Sequence, residues 1–309
     1  MLSFRRVLII LWLVGAFAAY FYAHQQHIPA TIAVPTGAAF LAELSLYFGM
    51  DRMAPVKPWA LAATAIAPYL IYSPPTGVFR FPEFVLLVAL AAVAAVWLQL
   101  LGGRPWADWA FFVFIAAVYL AKPFKLIYLA PMDDLRVDAL GQLMWFRVAI
   151  TSWLTHKPNW RSGFGFIPAG RDWLAGLRYF AYFLPVGALL VWLLRFATFR
   201  LSPDFWWKAP ATFLGIFLVV ALAEEFFFRG ILLESLRQRL GAAGALAISS
   251  SLFGLVHLWF GEFPNWRFAL LATTAGLFYG GAYLASGGIR AAMVTHALVV
   301  AAWRTLLRT

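Results

Sequence analysis

Cysteine is absent from the 309 residues. Its absence excludes disulfides, a thiol nucleophile and a thiolate metal site, and it leaves the redox compartment unmarked. Charge is scarce as well. Only 12% of the residues are charged, against about a quarter in a soluble domain, while 63% are hydrophobic and the mean hydropathy is +0.80. A chain with so little polar surface cannot face water on all sides, so composition points to an integral membrane protein and excludes an ordinary soluble domain. Acids are the scarcer sign, 13 against 24 Lys and Arg. In a soluble chain that excess would suggest nucleic acid. Here the basic residues collect between apolar runs, where they set topology and meet anionic headgroups. Membrane lipids are therefore the expected partners, and nucleic acid is not.

Apolar length is what the chain has in abundance. A spanning helix needs about 20 apolar residues, because backbone polar groups cannot be left unpaired in lipid. Runs near 7–23, 31–50, 58–73, 84–101, 108–129, 177–197, 211–228, 243–260, 267–285 and 289–306 predict an all-α fold, a polytopic transmembrane helix bundle of about ten spans. A weaker candidate lies at 139–154. The first run follows Arg5 and Arg6 like a signal peptide. It is long for one, however, and its Ala16-Phe17-Ala18 lies inside the apolar stretch, so it is expected to remain. Turn chemistry separates the runs at Ser73-Pro74-Pro75-Thr76-Gly77, Gly102-Gly103-Arg104-Pro105 and Ser286-Gly287-Gly288. The longest polar stretch, His156 to Asp172 with Lys157, Arg161 and Arg171, divides the chain into residues 1–160 and 165–309. Arg5, Arg6, Arg52, Lys57 and Arg104 favour a cytoplasmic N-terminus and first loops, and Arg229, Arg237 and Arg239 favour a cytoplasmic 229–241 loop.

A charge at the bilayer centre costs about 2.5 to 3.5 kcal/mol on insertion scales, so ionisable residues within the runs are functional candidates. Few qualify: Glu43, the pair Glu224 and Glu225, His257 and His296. Adjacent carboxylates must be desolvated together and repel each other. Arg229 follows Glu225 by four residues, on the same helical face and within ion-pair reach. Glu224 is rotated by about 100° from it and left to face a cavity. The bland alternative is that the pair marks the membrane edge and that Arg229 and Gly230 begin a solvated turn. Two later intrahelical histidines weigh against that. A carboxylate and a neutral imidazole can hold and deprotonate water while a second imidazole donates to a developing oxyanion, which amounts to hydrolysis without a covalent intermediate.

Glu224-Glu225-Phe226-Phe227-Phe228-Arg229 resembles the EExxxR motif of the CAAX protease and bacteriocin-processing family of intramembrane proteases. Phe253-Gly254-Leu255-Val256-His257 resembles its FxxxH motif. Gly276 to Gly280, Gly288-Ile289-Arg290 and His296 are similar in order and spacing to its last two helices, and the likeness covers roughly residues 165–309. The resemblance implies an intramembrane endopeptidase of bacterial plasma membrane type, acting on a membrane-associated protein or peptide. Glu224 with His257 would activate water, His296 would help form the oxyanion site, and Glu225 and Arg229 would support them. One position departs from the pattern. Four residues after His296 the family usually carries Asn, sometimes Asp, where this chain has Val300. A lost oxyanion donor costs about 2.7 to 4 kcal/mol of transition-state stabilisation, unless Asn265 in the 261–266 loop replaces it.

Other chemistries find less support. No HExxH is present, none of the seven Asp lies in a GxGD sequence, and no Gly-x-Ser-Gly surrounds Ser249-Ser250-Ser251. No cofactor is expected. Zinc is the alternative, since two His and one or two Glu would suit it with an open water position, although neither His has a ligand partner at i, i+4. A transporter would also bury Glu and His, but inverted repeats are not apparent. A non-catalytic membrane scaffold of the same fold is the remaining reading. Residues 1–160 are expected to dock a partner or substrate, with Glu43 facing the bundle interior and Lys122 to Arg136, including Asp133 and Asp134, forming a polar connection.

Overall fold

A computed structural model describes residues 4–53, 55–104, 106–133, 135–160 and 163–308. Pro105, Asp134 and Arg161 lie outside the described residues, as do the side chains of Arg5 and Arg6. The chain forms two compact units, Met1–Trp160 and Arg161–Thr309.

The first unit contains α1 (Phe4–Gln25), α2 (Ala30–Phe48), the short α3 (Met50–Met53), α4 (Pro58–Tyr72), α5 (Phe81–Leu101), α6 (Ala107–Ala121), the short α7 (Phe124–Ile127) and α8 (Asp138–His156). Helix α8, the weak span of the sequence, is its core: Leu140, Met144, Trp145, Val148, Ile150 and Trp153 are all buried. Helices α2, α4 and α5 pack around it. Glu43 does face the interior. The Arg147 guanidinium of α8 grips it at 2.7 and 2.9 Å and also donates to the hydroxyl and carbonyl of Thr64 on α4. Both charges are fully buried. One cation thereby satisfies polar groups on two other helices, which suits a site with no water to do so.

The second unit begins with α9 (Gly170–Leu193), which is held at its N-terminus by Asp172. That carboxylate accepts from the Ala169 amide at 2.8 Å and pairs at 3.1 Å with Arg290. Next come β1 (Thr198–Phe199), α10 (Phe205–Gly215), a π-helical segment Ile216–Ala221, α11 (Leu222–Glu225), a second π-helical segment Phe226–Leu233 and α12 (Glu234–Leu255). A 3₁₀ turn, Val256–Trp259, then leads to α13 (Trp266–Ser286), α14 (Ile289–Leu306) and β2 (Leu307–Arg308). The two short strands pair antiparallel. Helices α9, α12, α13 and α14 pack into a bundle, and the α10 to α11 region lies against α14. The turn signal at 286–288 appears as a left-handed cap at Gly287.

The chain is thus an all-α integral membrane protein. Among the described residues, five helical stretches are long and apolar enough to cross a membrane: Ala30–Phe48, Phe81–Leu101, Gly170–Leu193, Phe205–Trp259 and Trp266–Ser286. The expected count of about ten is not confirmed by these lengths. Pro58–Tyr72 and Ala107–Ala121 are apolar but only 15 residues long, about 22 Å against a hydrocarbon core of about 30 Å. The runs at 211–228 and 243–260 both fall within the 55-residue stretch Phe205–Trp259, which is two helices joined at a kink. It bends at Gly241, whose φ of 71° and ψ of 177° place it in backbone territory that favours glycine. The 229–241 loop is therefore corrected to helix up to that glycine.

Candidate active site

Helix continues through Arg229 because its charge is met from inside. The side chain is fully buried, donates to a Glu225 Oε1 at 3.2 Å and to the Gly276 carbonyl at 2.9 Å, and lies 3.1 Å from Glu225 Oε2. Its guanidinium sits 4.6 Å from the Phe253 ring and 5.5 Å from that of Tyr279, so two aromatic faces from α12 and α13 complete the enclosure. The solvated-turn reading of Arg229 and Gly230 is excluded by this burial. π-Helical segments on both sides of α11 are themselves rare, and such segments gather at functional sites because the extra residue per turn re-aims the side chains beyond it.

His296 of α14 joins the pair. Its Nδ1 lies 2.8 Å from Glu225 Oε1, and because a carboxylate paired with Arg229 accepts, Nδ1 is the donor. Nε2 faces Glu224, whose Oε2 is 3.9 Å away, beyond hydrogen-bond distance. The His296 ring is stacked on Tyr279, with centroids 4.5 Å apart and planes 13° from parallel. Glu224 is the accessible carboxylate, with 21% of its side chain exposed, yet its Oε2 is buried and without a hydrogen-bond partner.

His257 sits in the 3₁₀ turn that ends α12. Its Nδ1 is 2.7 Å from the Phe253 carbonyl, which can only accept, so Nδ1 carries the proton and a neutral ring keeps its lone pair on Nε2. The Phe253 ring touches His257 at 4.7 Å, His296 at 5.9 Å and Arg229, so a single side chain packs against all three. Asn265 fastens the turn. Its amide accepts from Phe268 N at 3.1 Å and donates to the Phe260 carbonyl at 2.9 Å, and its backbone N–H donates to Leu258. Its Oδ1 thus caps α13 while one N–H of its amide is spent on the loop carbonyl of Phe260, which leaves a single side-chain donor for any oxyanion role.

Four of the five sequence candidates, Glu224, Glu225, Arg229 and His296, therefore converge directly. His257 is linked to them through Phe253 and forms no ion pair with Glu224 among the described residues. Tyr279, Phe253 and the Gly276 carbonyl complete the enclosure. The i, i+3 spacing of Gly276 and Tyr279 is the signal by which they could have been found. Among the described residues no three His, Asp or Glu side chains are arranged to hold a metal ion.

A helical integral membrane protein with a buried Glu, Arg and His cluster at a π-helical break is the class that this fold and site define. Residues 206–302, about a third of the chain, match the model of the Rce1-like family, described as type II CAAX prenyl endopeptidase, and they carry α10 through most of α14. No curated protein and no solved structure was found to match.

Proposed function

We propose that the chain is an intramembrane endopeptidase that hydrolyses a peptide bond of a membrane-associated protein or peptide by activated water. The observation that carries this reading is the unpartnered Glu224 oxygen beside a His296 already fixed by Glu225 and Arg229, within the segment that matches a protease family. Nε2 of a neutral His257 accepts a hydrogen bond from the water and so orients it, and Glu224 takes the water's other proton as its oxygen attacks the scissile carbonyl carbon. The resulting tetrahedral oxyanion accepts from His296, which donates through Nε2 only as imidazolium, since Nδ1–H is committed to Glu225. Collapse returns the proton to the leaving amine. Glu225 and Arg229 hold His296 in place. No metal enters the scheme, and a bacterial plasma membrane with leader-type peptides as substrates is the setting it suits.

The test is peptide cleavage by protein reconstituted in liposomes. Glu224→Gln and His257→Ala should abolish turnover while unfolding as cooperatively as the parent, because each removes water activation and little packing. Normal turnover by folded Glu224→Gln would refute the assignment. Turnover that survives a chelator and elemental analysis free of metal separates this mechanism from a zinc enzyme. A second reading, a non-catalytic member of the fold, draws support from Val300 and from the engaged amide of Asn265. Failure of the parent and of Val300→Asn to cleave any candidate peptide would favour it.

A further inference from the structure

Away from this cluster, the first unit contains a cavity of about 340 Å³ where the start of α4 meets the ends of α5 and α8. Its wall is divided in character. Leu61, Ala95, Val56 and Pro58 make an apolar side, while Lys57, Gln99, Ser152, Thr155 and His156 bring an ammonium, an amide, two hydroxyls and an imidazole. Among the described residues no carboxylate lines it. Ser152 is only 4% exposed, and among the described residues its hydroxyl has no hydrogen-bond partner. A hydroxyl on a nearly buried residue that borders a cavity can donate to whatever occupies it. Thr155 Oγ1 accepts from the Val56 amide, which leaves its own proton free to donate. The His156 ring lies against Gly102 so closely that a Cβ at that position would strike it, and its nitrogens have no hydrogen-bond partner among the described residues. Helix α4 starts here with Lys57 at its N-cap and no side chain capping its first turn, so its positive dipole end adds to the donors. Asp108 of α6 is already paired with Lys157.

We propose that this cavity is a binding site for a phosphate-bearing anion, held by Lys57, Ser152, Thr155, His156 and Gln99. Among the described residues these donors are gathered at one cavity without a competing carboxylate, and this pattern recognises phosphate oxygens. A lipid phosphodiester and free inorganic phosphate share that chemistry. The apolar side of Leu61, Ala95 and Val56 and the position at helix ends of a membrane unit match a headgroup with its glycerol stem. This inference does not depend on the protease reading and concerns a different unit of the chain.

The experiment is thermal unfolding of the full chain in a neutral maltoside detergent, titrated with phosphatidylglycerol, phosphatidylcholine or inorganic phosphate. Phosphatidylglycerol should raise the midpoint saturably. Lys57→Gln and Ser152→Ala should weaken its apparent affinity by about tenfold each, the worth of one hydrogen bond to a charged group. Gln99→Glu alters an exposed residue and so does not threaten folding, and by placing a carboxylate at the mouth it should abolish the shift. Stabilisation by phosphatidylglycerol alone identifies a lipid headgroup. An equal, variant-sensitive response to inorganic phosphate identifies the free anion at the same site. The proposal is overturned if neither anion stabilises, if phosphatidylcholine does as well as phosphatidylglycerol, or if Gln99→Glu responds like the parent.

Discussion

Replacing Arg229 by Met tests whether the buried cluster is held by charge. The substitution keeps most of the side-chain volume, so little cavity opens, but it leaves Glu225 fully buried with the His296 Nδ1–H as its remaining donor. Removing one partner of a buried ion pair costs about 3 to 5 kcal/mol, because the other charge stays desolvated. Loss of the Phe253 and Tyr279 faces adds a cation–π contribution of about 2 kcal/mol at a desolvated site, which overlaps with the first figure and does not simply add to it. The expected destabilisation is therefore about 3 to 5 kcal/mol. The double variant Glu225→Gln/Arg229→Met removes the stranded charge and should be more stable than the sum of the single losses predicts, with a coupling of about 0.5 to 3 kcal/mol. Denaturant unfolding in detergent micelles, extrapolated to zero denaturant, measures all four corners of the cycle. A single-variant loss below about 1 kcal/mol, or strictly additive losses, would show that the pair is incidental to the fold.

Three further outcomes follow from the packing around the histidines. Gly254→Ala should cost about 1 to 3 kcal/mol in thermal unfolding and lower turnover, since a Cβ there would lie 2.5 Å from the Ala269 carbonyl and against Thr273, three residues before His257. Asn265→Ala should cost about 1 kcal/mol through loss of the α13 cap and reduce cleavage only in proportion to the loosening of the His257 turn; complete loss of cleavage by stable protein would identify Asn265 as a direct donor. Val300→Asn, one turn beyond His296, should raise kcat by at least about tenfold with little change in KM, because the added amide meets charge that develops only in the transition state; unchanged cleavage by folded variant would show that the position does not reach the oxyanion.

Local relationships were legible in the sequence, and long-range ones were not. The i, i+4 spacing predicts the Glu225 and Arg229 pair, and the structure has it. Punctuation by Gly287 and by Gly102-Gly103 marks true helix ends. The same local logic fails at Arg229 as a helix exit. It assigns a charge in an apolar run to the membrane edge, whereas the compensating carbonyl of Gly276 is 47 residues away. His296 is 71 residues from Glu225, and only the family likeness in spacing hinted that they meet. Arg147 is the clearest omission. It lies in the weak 139–154 run, whose modest hydrophobicity reflects a helix buried among protein neighbours and needing no lipid-facing surface.

The two buried ion pairs use the same residue types to different ends. In the first unit, Arg147 and Glu43 exchange two aligned hydrogen bonds, and the guanidinium's other donors reach Thr64. No atom of either charge is left over, so the pair locks three helices and offers nothing to a ligand. The second unit spends the same residue types differently. Arg229 holds Glu225 with one aligned bond, leaves its own Nε without an acceptor, and leaves Glu225 Oε2 close but out of hydrogen-bond alignment. Glu224, alongside, keeps a buried oxygen with no partner, 3.9 Å from an imidazole nitrogen. Unmet hydrogen-bonding capacity inside a membrane protein is expensive, and it is tolerated where a bound molecule completes it. π-Helical segments flank α11, so the irregular backbone and the unfinished hydrogen bonds occur at the same place in the chain. That place falls inside the segment shared with the protease family, and water is the smallest molecule that would complete those bonds.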